Sequence, residues 1–400
     1  MAPRFHRKIL KNGMTILFEK RDLPVVSVAF AVRNGGINES ISEKGISHFI
    51  EHMLYKGTPT RNTKKIAEEI EKNGGELNGF TDEAITAYWC KMPSKHLDVA
   101  LNVLGDMVKN PLFEKKELEK ERKVIFEEIK MRKDNPVTYV FDEIQSCLYG
   151  NPLGSSLIGT SETMNKLDRE KLLKKFRDIY QPNNMILCIV GDTTLDKIVN
   201  FAEKNFGNKK GKVSKFKIIK KNISKIEKRK GMDQTNLIFA YHTPLAKDNL
   251  SYTAQVLSTI LAEGMSSRLF TEIREKRNLA YAVKGGSNIG KDYSYNYIYV
   301  GTTKEHLSEV KKLILAEFQK VSEEFSENEL KQVKEQLIGN YHISIEDSRT
   351  QMINLLLYEI NGNAKSFYEF EKNISKVKLK DVKKIAKLKK YSFFVLTPED

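Results

Sequence analysis

Cysteine and long apolar runs are both scarce in this 400-residue sequence, which has three cysteines and no C-x-x-C spacing. Cys90, Cys147 and Cys188 lie far apart in apolar surroundings, so neither a disulfide framework nor a cysteine-rich zinc module is expected. No run approaches the roughly 18 apolar residues of a membrane helix, and the start has no apolar region of signal-peptide length. We therefore expect buried free thiols, no membrane association and a cytoplasmic location.

The net charge of +15 is confined to two segments of the chain. Residues 209–230 hold eleven Lys or Arg and one acidic residue, and residues 372–390 hold nine Lys and one acidic residue. Outside them, 47 basic residues face 50 acidic ones, so the rest of the protein is nearly neutral. A general basic surface is therefore excluded, and no nucleic-acid partner is expected.

The two halves of the sequence resemble each other at a nearly constant spacing. The segment "KHLDVALNVLGDMV" (95–108) matches "EHLSEVKKLILAEF" (305–318), and "FEKKELEKERKVIFEEIK" (113–130) matches "FSENELKQVKEQLIGNYH" (325–342). In both copies the first segment follows an alternating pattern typical of a strand, and both segments read as helices. These matches predict an internal duplication.

The predicted fold class is α+β, with two homologous α/β-roll domains that each contain a mixed or antiparallel sheet packed by helices. The basic stretch 209–230 divides the chain almost in half and is interpreted as a linker. We therefore predict a first domain at 1–208 and a homologous second domain at 231–400.

The stretch "GISHFIEHML" carries two histidines four residues apart with a glutamate directly before the second. On a helix of 3.6 residues per turn, His48, Glu51 and His52 leave the same face. Ser42 and Glu43 are expected to cap the start of this helix. Because burying two imidazoles and a carboxylate is costly unless they are paired, we interpret the motif as half of a metal site.

Two neutral imidazoles suit Zn²⁺, which in a catalytic site takes a third protein ligand and keeps an open position. The helix "FEKKELEKERKVIFEEIKMR" offers Glu117, Glu121 and Glu128 on one stripe. Alone, this stripe would be a solvated Glu/Lys face, and only the histidine pair favours a ligand in it. Glu51 is then free to act as a general base. The second copy has no such histidines and has Asn340 where the first has Glu128, so the fold does not require these residues.

Five segments carry a resemblance to a known family: "HFIEHMLYKGT", "GGELNGFT", "ERKVIFEEIKM", "YQPNNMILCIVGD" and "SSRLFTEIREKRNLAYAV". Over nearly its whole length the chain resembles the pitrilysin and insulinase superfamily of zinc peptidases, most closely the short-chain branch that includes mitochondrial processing peptidase. Together with the inverted H-x-x-E-H motif, this resemblance implies a metalloendopeptidase with one Zn²⁺ per chain, held by His48, His52 and Glu128. It also implies that Glu51 is the catalytic base and that Glu121 supports the site.

The resemblance further implies four residues that contact the peptide substrate. Arg274 and Tyr281, seven residues apart in the second half, are expected to bind substrate and to steady the tetrahedral oxyanion. Asn78 and Gly79 lie in a segment that resembles an edge strand onto which substrate adds by main-chain hydrogen bonds. Without the resemblance, Arg274 would be interpreted as a surface helix residue, Tyr281 as a core aromatic, and the other two as turn residues.

One position departs from the family pattern. Many members have a glutamate shortly after this segment, whereas this sequence has Ala84 there and Glu83 one residue earlier. Either the alignment shifts by one residue or this substrate contact is absent.

The resemblance also implies an assembly, because the family's chamber takes four such domains and this chain has two. The zinc set and the Arg/Tyr pair occur in one sequence, which favours a homodimer closing as a clam-shell chamber, with a heterodimer containing a degenerate homologue as the other possibility. The expected function is zinc-dependent endopeptidase activity on peptides or unfolded polypeptide segments. The alternatives are a non-catalytic structural or partner subunit of a peptidase-like complex, and a basic nucleic-acid-binding protein.

Overall fold

A computed structural model describes residues 4–399, and this part of the chain contains eleven strands. The strands are β1 (Phe5–Ile9), β2 (Thr15–Lys20), β3 (Val25–Val32), β4 (Glu76–Thr81), β5 (Thr86–Pro93), β6 (Met185–Gly191), β7 (Lys225–Arg229), β8 (Thr235–His242), β9 (Ala280–Ile289), β10 (Ser294–Thr302) and β11 (Ser392–Pro398).

The helices lie between groups of these strands, and several begin at a side chain that accepts a hydrogen bond from the backbone N–H of the third helical residue, as at Asn62, Asp168 and Asp347. They are α1 (Ile46–Leu54), α2 (Thr63–Glu71), α3 (Leu97–Lys109), α4 (Lys115–Asp134), α5 (Pro136–Leu148), α6 (Ser161–Lys166), α7 (Arg169–Ile179), α8 (Leu195–Asn205), α9 (Leu250–Ala262), α10 (Leu307–Glu324), α11 (Glu327–Ser344), α12 (Ser348–Asn361), α13 (Phe370–Ser375) and α14 (Leu379–Ala386). None of the described helices combines the length and apolarity needed to cross a membrane.

The first sheet has six strands in the order β1-β2-β6-β3-β5-β4. It is mixed, because β2 and β6 run parallel whereas the other neighbours are antiparallel. Seven of the eight residues of β3 are buried, so both faces of the sheet are covered, as expected for its nearly continuous apolar sequence. The strand β4 lies at one edge, close to α1.

The second sheet has five strands in the order β7-β11-β8-β10-β9 and is also mixed, with β7 and β11 parallel. Its order and orientations match those of β2-β6-β3-β5-β4 strand for strand. This correspondence is what an internal duplication predicts. The predicted α+β class, with two mixed sheets packed by helices, is confirmed.

Contacts divide the chain into two compact units that are discontinuous in sequence. The first unit comprises the chain up to Lys130, Ser155–Lys217 and Ser344–Tyr368, and the second unit comprises Met131–Gly154, Ile218–Ile343 and the chain from Glu369. They therefore differ from the contiguous ranges 1–208 and 231–400. The physical reason is that α5 packs on β8 and β11 in the second unit, whereas α12 packs on β3 and β6 in the first.

The predicted linker, residues 209–230, contains the point where the first unit gives way to the second, after Lys217. Its last part is not a linker, because Lys225–Arg229 form β7 at the edge of the second sheet. Charged side chains on an edge strand hinder pairing with other chains, which accounts for a basic sequence in this position. The three cysteines are buried and free, as expected.

Candidate active site

The helix α1 presents two imidazole rings on one face, beside the edge strand β4 of the first unit. The ring centroids of His48 and His52 lie 4.6 Å apart, and His48 is 7% exposed. The remaining faces of the helix are apolar and fully buried, through residues such as Phe49 and Met53. The helix is therefore held firmly in the core, and the position of its polar face is defined by that packing.

The start of α1 is anchored by a buried carboxylate. Gly45 precedes the helix with a φ of 91°, and the Glu39 side chain accepts hydrogen bonds from the backbone N–H groups of Gly45 (2.9 Å) and Ser47 (2.8 Å). The expected cap by Ser42 and Glu43 is wrong, because these residues lie in a separate 3₁₀ turn before the helix. A carboxylate six residues upstream satisfies the same backbone donors and favours the positive end of the helix dipole.

Glu39 belongs to a buried charged group behind the motif. Lys44 Nζ lies 3.8 Å from both the Glu39 and the Glu83 carboxylates and donates to the carbonyl oxygen of Gly36 at 2.9 Å. Burial raises the pKa of Glu39, whereas Lys44 and the two capped amides oppose that rise. The group joins the loop before α1 to the loop after β4.

Replacing Glu39 with glutamine is expected to lower the free energy of unfolding by about 1–3 kcal/mol, because a buried lysine loses a counter-charge and the helix loses a charged cap. Urea denaturation of the full chain measures this free energy of unfolding. Glu43→Gln is the matched control, since it removes the same charge from a half-exposed residue four positions away and is expected to change stability by less than about 0.5 kcal/mol. Equal effects of the two substitutions would contradict the assignment of the cap to Glu39.

A third metal-ligating side chain reaches the two histidines from α4. Glu128 Oε2 lies 3.4 Å from His48 Nε2 and 3.8 Å from His52 Nε2. One ligand atom from each of the three residues lies within 4.8 Å of the others. The structure thus brings together three residues that the sequence places on two separate helices.

These three donors fit a zinc ion. Two imidazole nitrogens and a carboxylate oxygen form a donor set that zinc uses in catalytic sites. When both rings are neutral and carry their proton on Nδ1, the two Nε2 lone pairs and the Glu128 oxygen repel one another, and a bound cation would offset that repulsion. The side chains of His52 and Glu128 are 21% and 25% exposed, so the group is reached from solvent while its other sides are packed.

Glu121, about two turns before Glu128 on the same stripe of α4, sets the orientation of one imidazole. Its Oε2 lies 3.1 Å from His52 Nδ1, and its Oε1 accepts from Lys56 Nζ at 2.6 Å. Burial works against ionisation, but the hydrogen bonds from His52 and Lys56 outweigh it and lower the pKa of Glu121. A charged carboxylate at this distance keeps a proton on Nδ1 and leaves the Nε2 lone pair for a metal.

Glu117, the remaining glutamate of the predicted stripe, and Glu127, next to Glu128, lie outside this group. Glu117 pairs with Lys120 at 2.6 Å, and Glu127 pairs with Lys130 at 2.7 Å with 71% of its side chain exposed. Both ion pairs are of the surface kind that contributes little to stability. Of these four glutamates on α4, Glu128 meets the two histidines and Glu121 supports His52. Glu117 and Glu127 form ion pairs with lysines instead.

Glu51, between the two histidines in sequence, is partly buried and has a carboxylate held by a hydrogen bond. Its Oε2 accepts a hydrogen bond from the Thr81 hydroxyl at 2.6 Å. Burial raises the pKa of Glu51, partly opposed by Thr81 and by His52, and Glu128 adds to the rise. Thr81, the last residue of β4, was missed by the sequence analysis, because a contact across thirty residues leaves no local pattern.

Gly79 allows β4 to lie against this carboxylate. A Cβ atom at this position would stand 2.5 Å from the Tyr55 hydroxyl oxygen and 3.2 Å from Glu51 Oε1. Any side chain at this position would therefore force the Tyr55 hydroxyl, the strand or the Glu51 carboxylate to shift. Asn78 next to it is exposed on the edge strand, and its Oδ1 accepts from the Gly79 N–H at 2.7 Å.

Glu83 does not take the place of the family glutamate that Ala84 lacks. It is 2% exposed, and its carboxylate lies 3.8 Å from Lys44 Nζ in the charged group described above. A side chain held there is not available to a peptide on β4.

The two residues expected to bind substrate in the second half lie in the second unit. Arg274 is exposed in the π-helical segment Phe270–Glu275, with its guanidinium 4.9 Å from the Phe270 ring centroid. Tyr281 lies in the edge strand β9, is 47% exposed, and has its hydroxyl 3.3 Å from that of Tyr299. Tyr281 is therefore not the core aromatic that its sequence context alone would indicate.

Together, the fold and site define an α+β protein with a His–His–Glu group of the kind that holds zinc in hydrolases. The chain belongs to the M16 family of peptidases. The family description "Insulinase (Peptidase family M16)" matches residues 15–161, which contain the whole metal group, and "Peptidase M16 inactive domain" matches residues 166–337.

Three proteins illustrate the relationship. An "Uncharacterized zinc protease" of Rickettsia felis is 36% identical over 344 residues, which cover 85% of this chain and 84% of that protein. A protease from Helicobacter pylori has the same fold over 100% of both chains, with a TM-score of 0.91 and 22% identity. A chain from complex III2 of Candida albicans has a TM-score of 0.87 and 17% identity, covering 98% of this chain and 95% of that one. At the identities of the two solved structures, the similarity is one of fold.

Proposed function

We propose that this protein is a zinc-dependent endopeptidase that hydrolyses peptides or unfolded polypeptide segments. The observation that carries the proposal is the convergence of one ligand atom each from His48, His52 and Glu128, with Glu51 on the same helix as both histidines. Family membership and the zinc protease names of relatives support the same chemistry.

In this proposal Glu51 moves the protons. Its carboxylate takes a proton from the water that attacks the scissile carbonyl carbon, and it later gives a proton to the leaving amine nitrogen. The hydrogen bond from Thr81 holds Oε2 and leaves Oε1 to exchange the proton. Zinc, when bound by the three ligands, supplies Lewis-acid chemistry that stabilises negative charge on the substrate carbonyl oxygen.

Glu121 and Lys56 act as positioning residues. Glu121 holds the ring of His52 through Nδ1, and Lys56 keeps Glu121 charged by its ion pair. Partners that hold a metal ligand in this way typically contribute roughly 10–100-fold to metal affinity or activity. Glu121 and Lys56 thus contribute to metal binding through His52, without taking part in proton transfer.

The peptide is proposed to bind along β4. This strand has a free edge in the first sheet, so an extended peptide can add to it through main-chain hydrogen bonds. Asn78 and Gly79 lie on the strand just before Thr81, and Gly79 is adjacent to the Glu51 carboxylate. A peptide paired with this edge would have its backbone presented to the general base.

Arg274 and Tyr281 are proposed to bind substrate and to steady the oxyanion at the zinc site of a partner chain. We propose a homodimer that encloses a chamber, since one sequence contains both parts of the site; a heterodimer with a degenerate homologue is the other assembly. Arg274 and Tyr281 are both exposed at least in part, as residues that meet substrate must be. Sedimentation of the purified chain tests the assembly, and a monomer at assay concentration would contradict it.

Metal removal is the first test of the chemistry. The protein is expected to contain about one zinc per chain and to cleave a mixed library of quenched peptides; a chelator should abolish cleavage, and added Zn²⁺ should restore it. Elemental analysis measures the zinc content, and the fluorescence of the quenched peptides measures cleavage. A protein that binds no metal and cleaves nothing would instead favour a non-catalytic partner subunit.

A further inference from the structure

The two basic segments of the sequence, which the proposed function does not use, meet in the second unit. Lys220 and Asn222 from 209–230 and four lysines from 372–390 line a single cleft of about 650 Å³. The end of β8 and the residues after it form the remaining wall. Segments about 160 residues apart in sequence thus contribute positive charge to one concave site.

Among the described residues, no acidic side chain lines this cleft, whereas five lysines do. None of the five takes part in an ion pair within the described chain, and all are exposed. Like charges in a concave site focus a positive potential, which attracts anions and destabilises the empty cleft. The five lysines are Lys220, Lys384, Lys387, Lys389 and Lys390.

A buried hydroxyl provides an independent sign of a ligand. Thr243 lines the cleft, is 7% exposed, and its Oγ1 has no hydrogen-bond partner among the described residues. Leaving a buried hydroxyl unsatisfied is unfavourable, so such a group calls for an explanation. Because Thr243 lines the cleft, its hydroxyl is a candidate donor to an anion bound there.

The rest of the lining indicates the size and nature of that anion. Pro244, Ile385 and Leu388 add apolar surface, and the His242 ring is held by the Lys221 carbonyl oxygen at 2.8 Å. Burial lowers the pKa of His242, so the lysines supply the charge. The volume lies within the roughly 300–1,000 Å³ typical of small-molecule sites.

We propose that this cleft binds a small soluble anion with several consecutive phosphate groups. Lysine ammonium groups bind phosphate as point charges, and a neighbouring hydroxyl adds a directional donor. A nucleic acid would need a longer basic track with exposed aromatic rings, whereas the one aromatic residue that joins His242 in the lining, Tyr241, is 4% exposed. An inorganic polyphosphate and a nucleoside polyphosphate share the required chemistry.

Calorimetric titration of the full chain with inorganic triphosphate and with a nucleoside triphosphate tests the proposal. Saturable binding of one ligand per chain that weakens as salt increases is expected. Equal affinities would assign recognition to the phosphates alone, and tighter binding of the nucleotide would add a role for the apolar wall. A tricarboxylate serves as an anion control and should bind more weakly.

Matched variants locate the site. Changing Lys387, Lys389 and Lys390 to glutamine should weaken binding at least about tenfold, since each removes a charged donor. Changing Lys376, Lys378 and Lys380 to glutamine removes the same charge from the same segment outside the cleft, and should change affinity less than about twofold. The comparison separates a site from a general effect of net charge.

Thr243→Val tests the buried hydroxyl. This substitution should weaken triphosphate binding several-fold while leaving the free energy of unfolding unchanged or higher, because it removes an unsatisfied polar group. Equal losses in the two lysine variants, the absence of saturable binding, or tighter binding of an oligonucleotide or of anionic vesicles would overturn the proposal. Binding is measured directly and does not depend on the proposed peptidase activity, so the two can fail separately.

Discussion

Replacing Glu51 with glutamine is expected to leave zinc binding intact and to lower kcat for peptide cleavage by roughly 10²–10⁴-fold. The glutamine side chain has the same shape, and its carbonyl oxygen can still accept the hydrogen bond from the Thr81 hydroxyl. It lacks the basic oxygen that takes the proton from water. The change therefore removes the proposed chemistry while preserving the packing of α1.

This prediction is tested by measuring zinc content per chain and kcat on one cleavable peptide, for the variant and for the wild type. A variant that keeps more than about a tenth of wild-type kcat would rule out Glu51 as the general base. A variant that loses zinc as well would show that Glu51 is needed to hold the ligands in place. The first outcome changes the mechanism, and the second changes the role of the residue within the same site.

The same variant also examines the proposed dimer. Mixed with a chain in which Arg274 and Tyr281 are replaced by alanine and phenylalanine, it should form dimers with one complete site. Random exchange in an equal mixture would restore about one quarter of wild-type activity if each site uses residues of both chains. No recovery, despite proven subunit exchange, would place the Arg/Tyr pair and the zinc group of one site in the same chain.

Replacing Glu128 with glutamine is expected to remove both zinc and activity. A ligand contributes more than the residues that orient it, so the loss of zinc affinity should exceed the roughly 10–100-fold typical of those supporting partners. Competition with a chromogenic chelator measures the affinity, and elemental analysis measures the zinc retained. The two histidines alone would form an incomplete site.

Glu127 offers a control one residue away on the same helix. Its side chain is 71% exposed and forms an ion pair with Lys130. Glu127→Gln therefore removes the same charge without touching the metal group, and it should retain zinc and cleavage. Equal losses in the two variants would mean that the charge of α4, rather than a ligand at Glu128, governs metal binding.

The residues that could be identified from sequence share a local geometry. His48, Glu51 and His52 lie within one helical turn, so their common face follows from the helix itself. Glu121 and Glu128 lie seven residues apart on another helix, which places them on one stripe but does not say which of them meets the histidines. Assigning Glu128 as the ligand required the family resemblance, and the structure shows the distances.

The residues that escaped the sequence analysis act over long separations. Glu39 caps α1 from six residues upstream, and Thr81 reaches Glu51 from a strand thirty residues later. Gly79 was expected on an edge strand only through the family resemblance, and the room that it leaves for Glu51 is visible only in the structure. None of these contacts has a periodicity, because each depends on how one element packs against another.

By itself, the sequence determined the α+β class, the internal repeat, the histidine pair on one helix face and the concentration of positive charge in two segments. Only the tertiary structure decided that α5 and α12 pack on the sheets of the opposite halves of the sequence, that Glu128 meets the histidines, and that the basic segments meet in one cleft. The physical reason is that backbone periodicity sets the directions of side chains within one helix or strand. Contacts between distant segments depend on the burial of apolar faces, which is non-directional, so the sequence pattern does not show which segments will meet.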